Sequence, residues 1–145
     1  MFEKFRSLFE KTETKEDNEF DATQLAVASL MITTAKYDGI FDEIEKEEIL
    51  KLLKNYYELT EEGLINLIKI SDTMVDNASD IHQFTSKINS SLDDEEKLTI
   101  IEMLWKIIIA DGRIDDYENA LVRKLSGLLY IDDFKVGEIK KRLTG

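Results

Sequence analysis

Met103-Leu-Trp-Lys-Ile-Ile-Ile-Ala-Asp-Gly-Arg-Ile-Asp-Asp-Tyr-Glu118 carries an apolar helix into Asp111-Gly112, turns through Arg113-Ile114, and opens a new helix at Asp115. The same turn stands 73 residues earlier as Asp38-Gly-Ile-Phe-Asp-Glu-Ile-Glu45. Both read Asp-Gly-x-apolar-Asp-x-apolar-Glu. At that same offset Leu25 corresponds to Leu98, Leu30 to Met103 and Leu52 to Leu125. With one residue dropped past Tyr56, Leu59-Thr60 aligns with Ile131-Asp132. The chain therefore reads as a duplicated helix–acidic turn–helix–helix unit, with repeats at about 22–71 and 95–143.

Working outward from the turns, apolar residues at helical spacing mark the flanking elements. The helix before the first turn, about Ala22 to Asp38, is apolar nearly all round, and Glu95–Asp111 before the second is apolar on most sides. Both are expected to be buried on several sides and to pack together across a pseudo-two-fold axis. A helix opened by Asp42 should turn Ile44, Ile49, Leu52, Leu53 and Tyr56 inward. Thr60 caps a helix over about 61–71, residues 72–79 read as a loop or a loosened last turn, and Ser79 or Asp80 caps the next. Asp93 or Asp94 caps the long second-half helix. Asp115–Tyr130 and a last helix from Asp132 complete an all-α domain of about seven helices over residues 21–145. Absence of proline and the presence of only six glycines favour that class over sheets.

Residues 1–20 form an amphipathic N-terminal segment and a charged linker. Phe2, Phe5, Leu8 and Phe9 share one helical face, while Glu13 to Glu19 lacks apolar anchors. Two readings stand for the face: it folds onto its own domain or frays, or it docks a partner or a membrane surface. Its polar side, with Glu3, Lys4, Arg6 and Glu10, is too mixed in sign to attract anionic lipid strongly.

Charge narrows the function classes. The 31 Asp and Glu against 19 Lys and Arg leave −12, a field that repels phosphate backbones and disfavours nucleic acid. No cysteine is present, which removes disulfides, thiolate metal sites and cysteine nucleophiles. No apolar run exceeds four residues, the length of Ile107–Ala110, far short of the roughly 18 residues of a membrane span. With no secretory leader evident, a cytoplasmic protein is expected. His82 is the lone histidine and reads as a surface or core residue rather than a base. No nucleophile elbow or phosphate-cradling glycine motif occurs, so a non-enzyme is expected.

The acidic turns remain. Helix punctuation explains most of each: Gly39 and Gly112 as left-handed helix ends, Asp42 and Asp115 as N-caps, and Glu45 and Glu118 as their capping-box partners. It leaves Asp38 and Asp111 at helix C-termini, where the dipole disfavours a carboxylate by roughly 0.3–1 kcal/mol. A cation held by Asp38, Asp42, Glu45, Asp111, Asp115 and Glu118 would account for them. All-oxygen donors select Ca²⁺, Mg²⁺ or Mn²⁺ over zinc. Each loop is too short to wrap an ion alone, so the two turns would have to pool their donors or keep several waters. Trp105 reads as core. Tyr117, inside the second turn, is a candidate for lining a partner groove.

At these residues the chain resembles the tellurite resistance protein B (TerB-like) family. The most specific stretches are Glu102–Glu118 with Leu121-Val-Arg-Lys-Leu125, and Phe84-Thr-Ser-Lys-Ile-Asn89 leading to Asp94-Glu-Glu96. It looks most like the stand-alone, single-domain branch. The resemblance implies an all-helical fold with acidic residues clustered at one end, proposed to bind metal, and a link to metal or chemical stress. The first turn departs from the family's Ala-x-Ala-Asp-Gly lead-in with Ala35-Lys-Tyr-Asp-Gly39, and Lys36 there would partly neutralise that half. Two functions follow as expectations: a cation-responsive module acting through protein contacts, or a metal-independent domain whose acidic end docks a basic partner surface.

Overall fold

A computed structural model describes residues 20–36, 43–112, 114 and 116–144, the side chain of Asp111 excepted. Seven α-helices and no strand occur among them. They are α1 (Ala22–Ala35), α2 (Glu43–Tyr57), α3 (Glu61–Asn77), α4 (His82–Ser91), α5 (Asp94–Ile108), α6 (Asp116–Leu128) and α7 (Asp133–Thr144). A 3₁₀ turn, Ile109–Asp111, extends α5.

The two most apolar helices become the hubs. Buried residues of α1 run from Leu25 through Ile32 without a break, and α1 packs against α2, α3, α4 and α5. Helix α5 buries Ile100, Ile101, Met103, Leu104, Trp105, Ile107 and Ile108, and packs against α1, α2, α6 and α7. A helix with one apolar stripe can bury only one side, so the amphipathic helices are left to form the outer layer. Phe20, at the end of the stretch read as linker, is itself buried in the core.

Local sequence explains most boundaries. Asp21 and Gln24 form a reciprocal capping box on α1, as Asp93 and Glu96 do on α5. Thr60 accepts from the Gly63 amide at 3.0 Å. The Asp80 carboxylate accepts from the His82 amide at 2.8 Å and Asp132 from the Phe134 amide at 2.8 Å, closing the entries to α4 and α7.

Helices α2 and α6 also close in the same way. Leu59 donates to the Lys54 carbonyl across Glu58, which sits at φ 51°. Ile131 donates to the Ser126 carbonyl across Tyr130, at φ 59°. These are Schellman closures with a non-glycine residue in the left-handed region, at positions that the sequence aligns.

Two expectations need correction. Residues 72–77 are helical, not a loop: Ser71 and Met74 are buried, and Asp72 and Asp76 reach back to Lys36 on α1's last turn at 2.5 and 3.7 Å. Contacts remote in sequence thus sustain a turn whose composition suggested fraying. Ile44 does not face inward but is 52% exposed, while Glu45 beside it is 6% exposed. The inner stripe of α2 instead runs through Glu45, Ile49 and Leu53.

Candidate functional site

The second acidic turn begins where α5 tightens. Ile109–Asp111 narrows to a 3₁₀ turn, and Gly112 closes it at φ 85°, donating to the Ile109 carbonyl at 2.8 Å. A side chain in that conformation is strained, so the backbone there favours glycine. Ile114 packs back onto the core, half-buried. Gly112 and Ile114 therefore do what helix punctuation asks of them.

Of the six candidate ligands, two have described side chains. Glu45 lies in the first turn of α2, buried, and Glu118 lies in the first turn of α6, half-buried. Both have interaction partners within the chain. A buried carboxylate is costly unless charge or donors meet it, so Glu45 is not an incidental surface acid. Asp38, Asp42 and Asp115 lie outside the described residues, as does the side chain of Asp111. Among the described residues no three His, Cys, Asp or Glu side chains cluster as a metal site.

Helix packing decides which ends meet. Tyr56, at the far end of α2, has its phenol pKa raised, first by burial and then by the carboxylates of Glu96 and Asp93 at the start of α5. At the opposite end, Ile109–Asp111 packs on α2. The two helices thus run antiparallel. The start of α2, where the first acidic turn delivers the chain, lies at the same pole as the second turn.

Between α2 and α5 runs an open groove of about 590 Å³, from Tyr56 and Thr99 to Glu48 and Ala110. Leu52, Tyr56, Met103 and Ile109 supply its apolar lining, and Lys51 and Lys106 stand among its polar residues. Lys106 and Arg142 both meet the Glu102 carboxylate, at 3.3 and 2.6 Å. The hydrogen bond from Arg142 is the main reason that the Glu102 pKa is lowered.

Lys36, which the sequence placed as a neutraliser of the first turn, is drawn to α3. Its hydrogen bond to Asp72 is the largest cause of a raised pKa. Tyr117 is 72% exposed on α6 and is not part of the core. Trp105 is core, at 3% exposure, with Lys140 5.3 Å from its ring centre. His82 is exposed at the start of α4. Lys97 was missed by sequence reasoning. It is buried at 6% beneath Tyr130, 5.9 Å from the ring centre, and its apolar neighbours on α5 were the available signal.

No described helix is long and apolar enough to cross a membrane. The family model of tellurite resistance protein TerB matches residues 24–141, most of the chain. No curated protein and no solved structure matches it.

Proposed function

The chain belongs to the tellurite resistance protein TerB family, and from that premise we propose a non-enzymatic helical module that takes a divalent cation at its acidic turns. It would act in metal or chemical stress response, in the cytoplasm, through protein contacts. The observation that carries this reading is the packing of Ile109–Asp111 on α2, which puts the second acidic turn at the pole where α2 begins with Glu43 and a buried Glu45. Neither turn is long enough to hold an ion alone, and that packing supports pooled donors.

The donor set suits a hard cation. Asp38, Asp42, Glu45, Asp111, Asp115 and Glu118 would hold Ca²⁺, Mg²⁺ or Mn²⁺ through oxygen, and Glu45 is the kind of buried carboxylate that such a site uses. A bound ion supplies positive charge at the C-terminal end of α5, where the dipole and Asp111 are both negative. The chain's own residues do the rest: Gly112 reverses the backbone, and Ile114 pins the turn to the core.

A second reading keeps the fold and omits the metal. The −12 charge and the 72% exposed Tyr117 on the acidic side favour docking of a basic protein surface. Calorimetric titration of the chelator-stripped protein with Ca²⁺, Mg²⁺ and Mn²⁺ separates the two. Saturable heat lost in Asp111→Asn supports the cation site. Heats equal to dilution, with the variant folded, remove it and leave the acidic docking surface.

A further inference from the structure

A cavity of about 430 Å³ lies between α5, α6 and α7, and its charge runs against that of the chain. Arg123 and Lys140 line it against a single carboxylate, Asp133, so its wall carries +1 in a chain of −12. Neither cation is neutralised there. Arg123 forms no ion pair among the described residues, and the Lys140 ammonium donates to the neutral amide oxygen of Asn119 at 2.8 Å.

Two further observations concern the same wall. The indole N–H of Trp105 is buried without an acceptor among the described residues, and an unmet buried donor costs stability. The Lys140 Nζ stands 5.3 Å from the centre of that ring. Gly137 lies inside α7, where a helix disfavours glycine, yet a Cβ there would meet nothing within 4 Å. Packing within the chain therefore does not account for this glycine, whereas it keeps the cavity wall bare.

Shape and charge together define an occupant. Val122, Val136 and the Trp105 ring are apolar, which suits a molecule with an apolar body. A wall charge of +1 is balanced by one negative charge, and Asp133 at the same site repels a dianion such as phosphate. A carboxylate has two acceptor oxygens, one for the ammonium and one for the indole, where a halide offers a single atom.

We propose that this cavity binds a small monocarboxylic acid as its anion, with the carboxylate held by Lys140, Trp105 and Arg123 and the apolar tail against Val122 and Val136. Lys140 exchanges the Asn119 amide for the carboxylate, because the charge-assisted bond is the stronger. The indole nitrogen is closed to solvent as it stands, so its bond forms as Lys140 swings off the ring to the ligand. The site shares no residue with the carboxylates of the acidic turns and stands whether or not they hold a cation.

Trp105 is the one tryptophan of the chain, so its indole N–H gives a single NMR signal that reports on the cavity. Sodium butyrate titrated into the full-length protein at constant ionic strength should move that signal downfield and saturate in the millimolar range. Butyramide, the neutral isostere, should leave it in place. Lys140→Gln should raise the half-saturating concentration about tenfold, the worth of one charge-assisted bond. Lys141→Gln removes an equal charge outside the cavity and should change nothing. An indole signal unmoved by butyrate overturns the proposal. Equal movement with butyramide, a stronger response to phosphate than to butyrate, or an unchanged half-saturation in Lys140→Gln overturns it too.

Discussion

Two residues in the same left-handed conformation should respond to substitution with opposite signs. Gly112 closes the second acidic turn at φ 85°, and a Cβ built there meets nothing within 4 Å. Gly112→Ala therefore incurs no clash, only the conformational penalty of an L-residue in that region, roughly 1–2 kcal/mol. Reduced freedom of the unfolded chain returns about 0.4–1 kcal/mol, leaving a net loss of about 1 kcal/mol. Glu58 already pays that penalty at φ 51° on an exposed site, so Glu58→Gly should gain about 0.5–1 kcal/mol by the same terms reversed. Equilibrium urea unfolding at constant slope reads both, and in a chain of this size each kcal/mol moves Tm by about 2–4 °C. Neutrality of Gly112→Ala, or destabilisation by Glu58→Gly, would refute the assignment of these closures.

Other consequences are as direct. Asp93→Ala removes the reciprocal cap at the start of α5 and should cost about 1 kcal/mol in the same unfolding assay. Leu104→Ala hollows a fully buried site on the hub helix and should cost about 3 kcal/mol. Glu102 has a lowered folded pKa, so its contribution is present above the ordinary value of about 4.3 and is lost as pH falls through the folded value. Glu102→Gln should flatten that acid-side loss. Its cost at pH 7 should stay below about 1 kcal/mol, because Arg142 is 61% exposed and screened by solvent. Urea midpoints measured from pH 3 to 7 check both.

Much of the fold was legible because its signals are local. The apolar character of residues 25–32, nearly all round, and of 98–108, on most sides, marked the two hub helices, Thr60 and Asp93 announced helix starts, and Asp-Gly at 111–112 marked a helix end. What escaped depends on partners far along the chain. The last turn of α3 persists through Lys36, some forty residues away, and nothing in Asp72-Thr-Met-Val-Asp-Asn77 itself says so. Ile44 and Glu45 are adjacent, and a small rotation of α2 exchanges which one is buried. Glu58 and Tyr130 carry no glycine to betray their backbone. For the site, residue types and the recurrence of the turn were readable, whereas the shared pole follows only from α2 and α5 running antiparallel. The groove between those helices has no sequence signature at all, since its walls come from helices far apart in the chain.

The central claim is that the two turns pool their carboxylates around one kind of cation, and amide NMR during a Mn²⁺ titration tests it most directly. Paramagnetic broadening should begin at Ile109–Gly112, Glu43–Glu45 and Asp116–Glu118 together, and should vanish in Asp111→Asn. Broadening spread equally over the exposed acids Glu61, Glu62, Asp132 and Asp133, and unchanged in that variant, would contradict the account and leave the turns as helix caps.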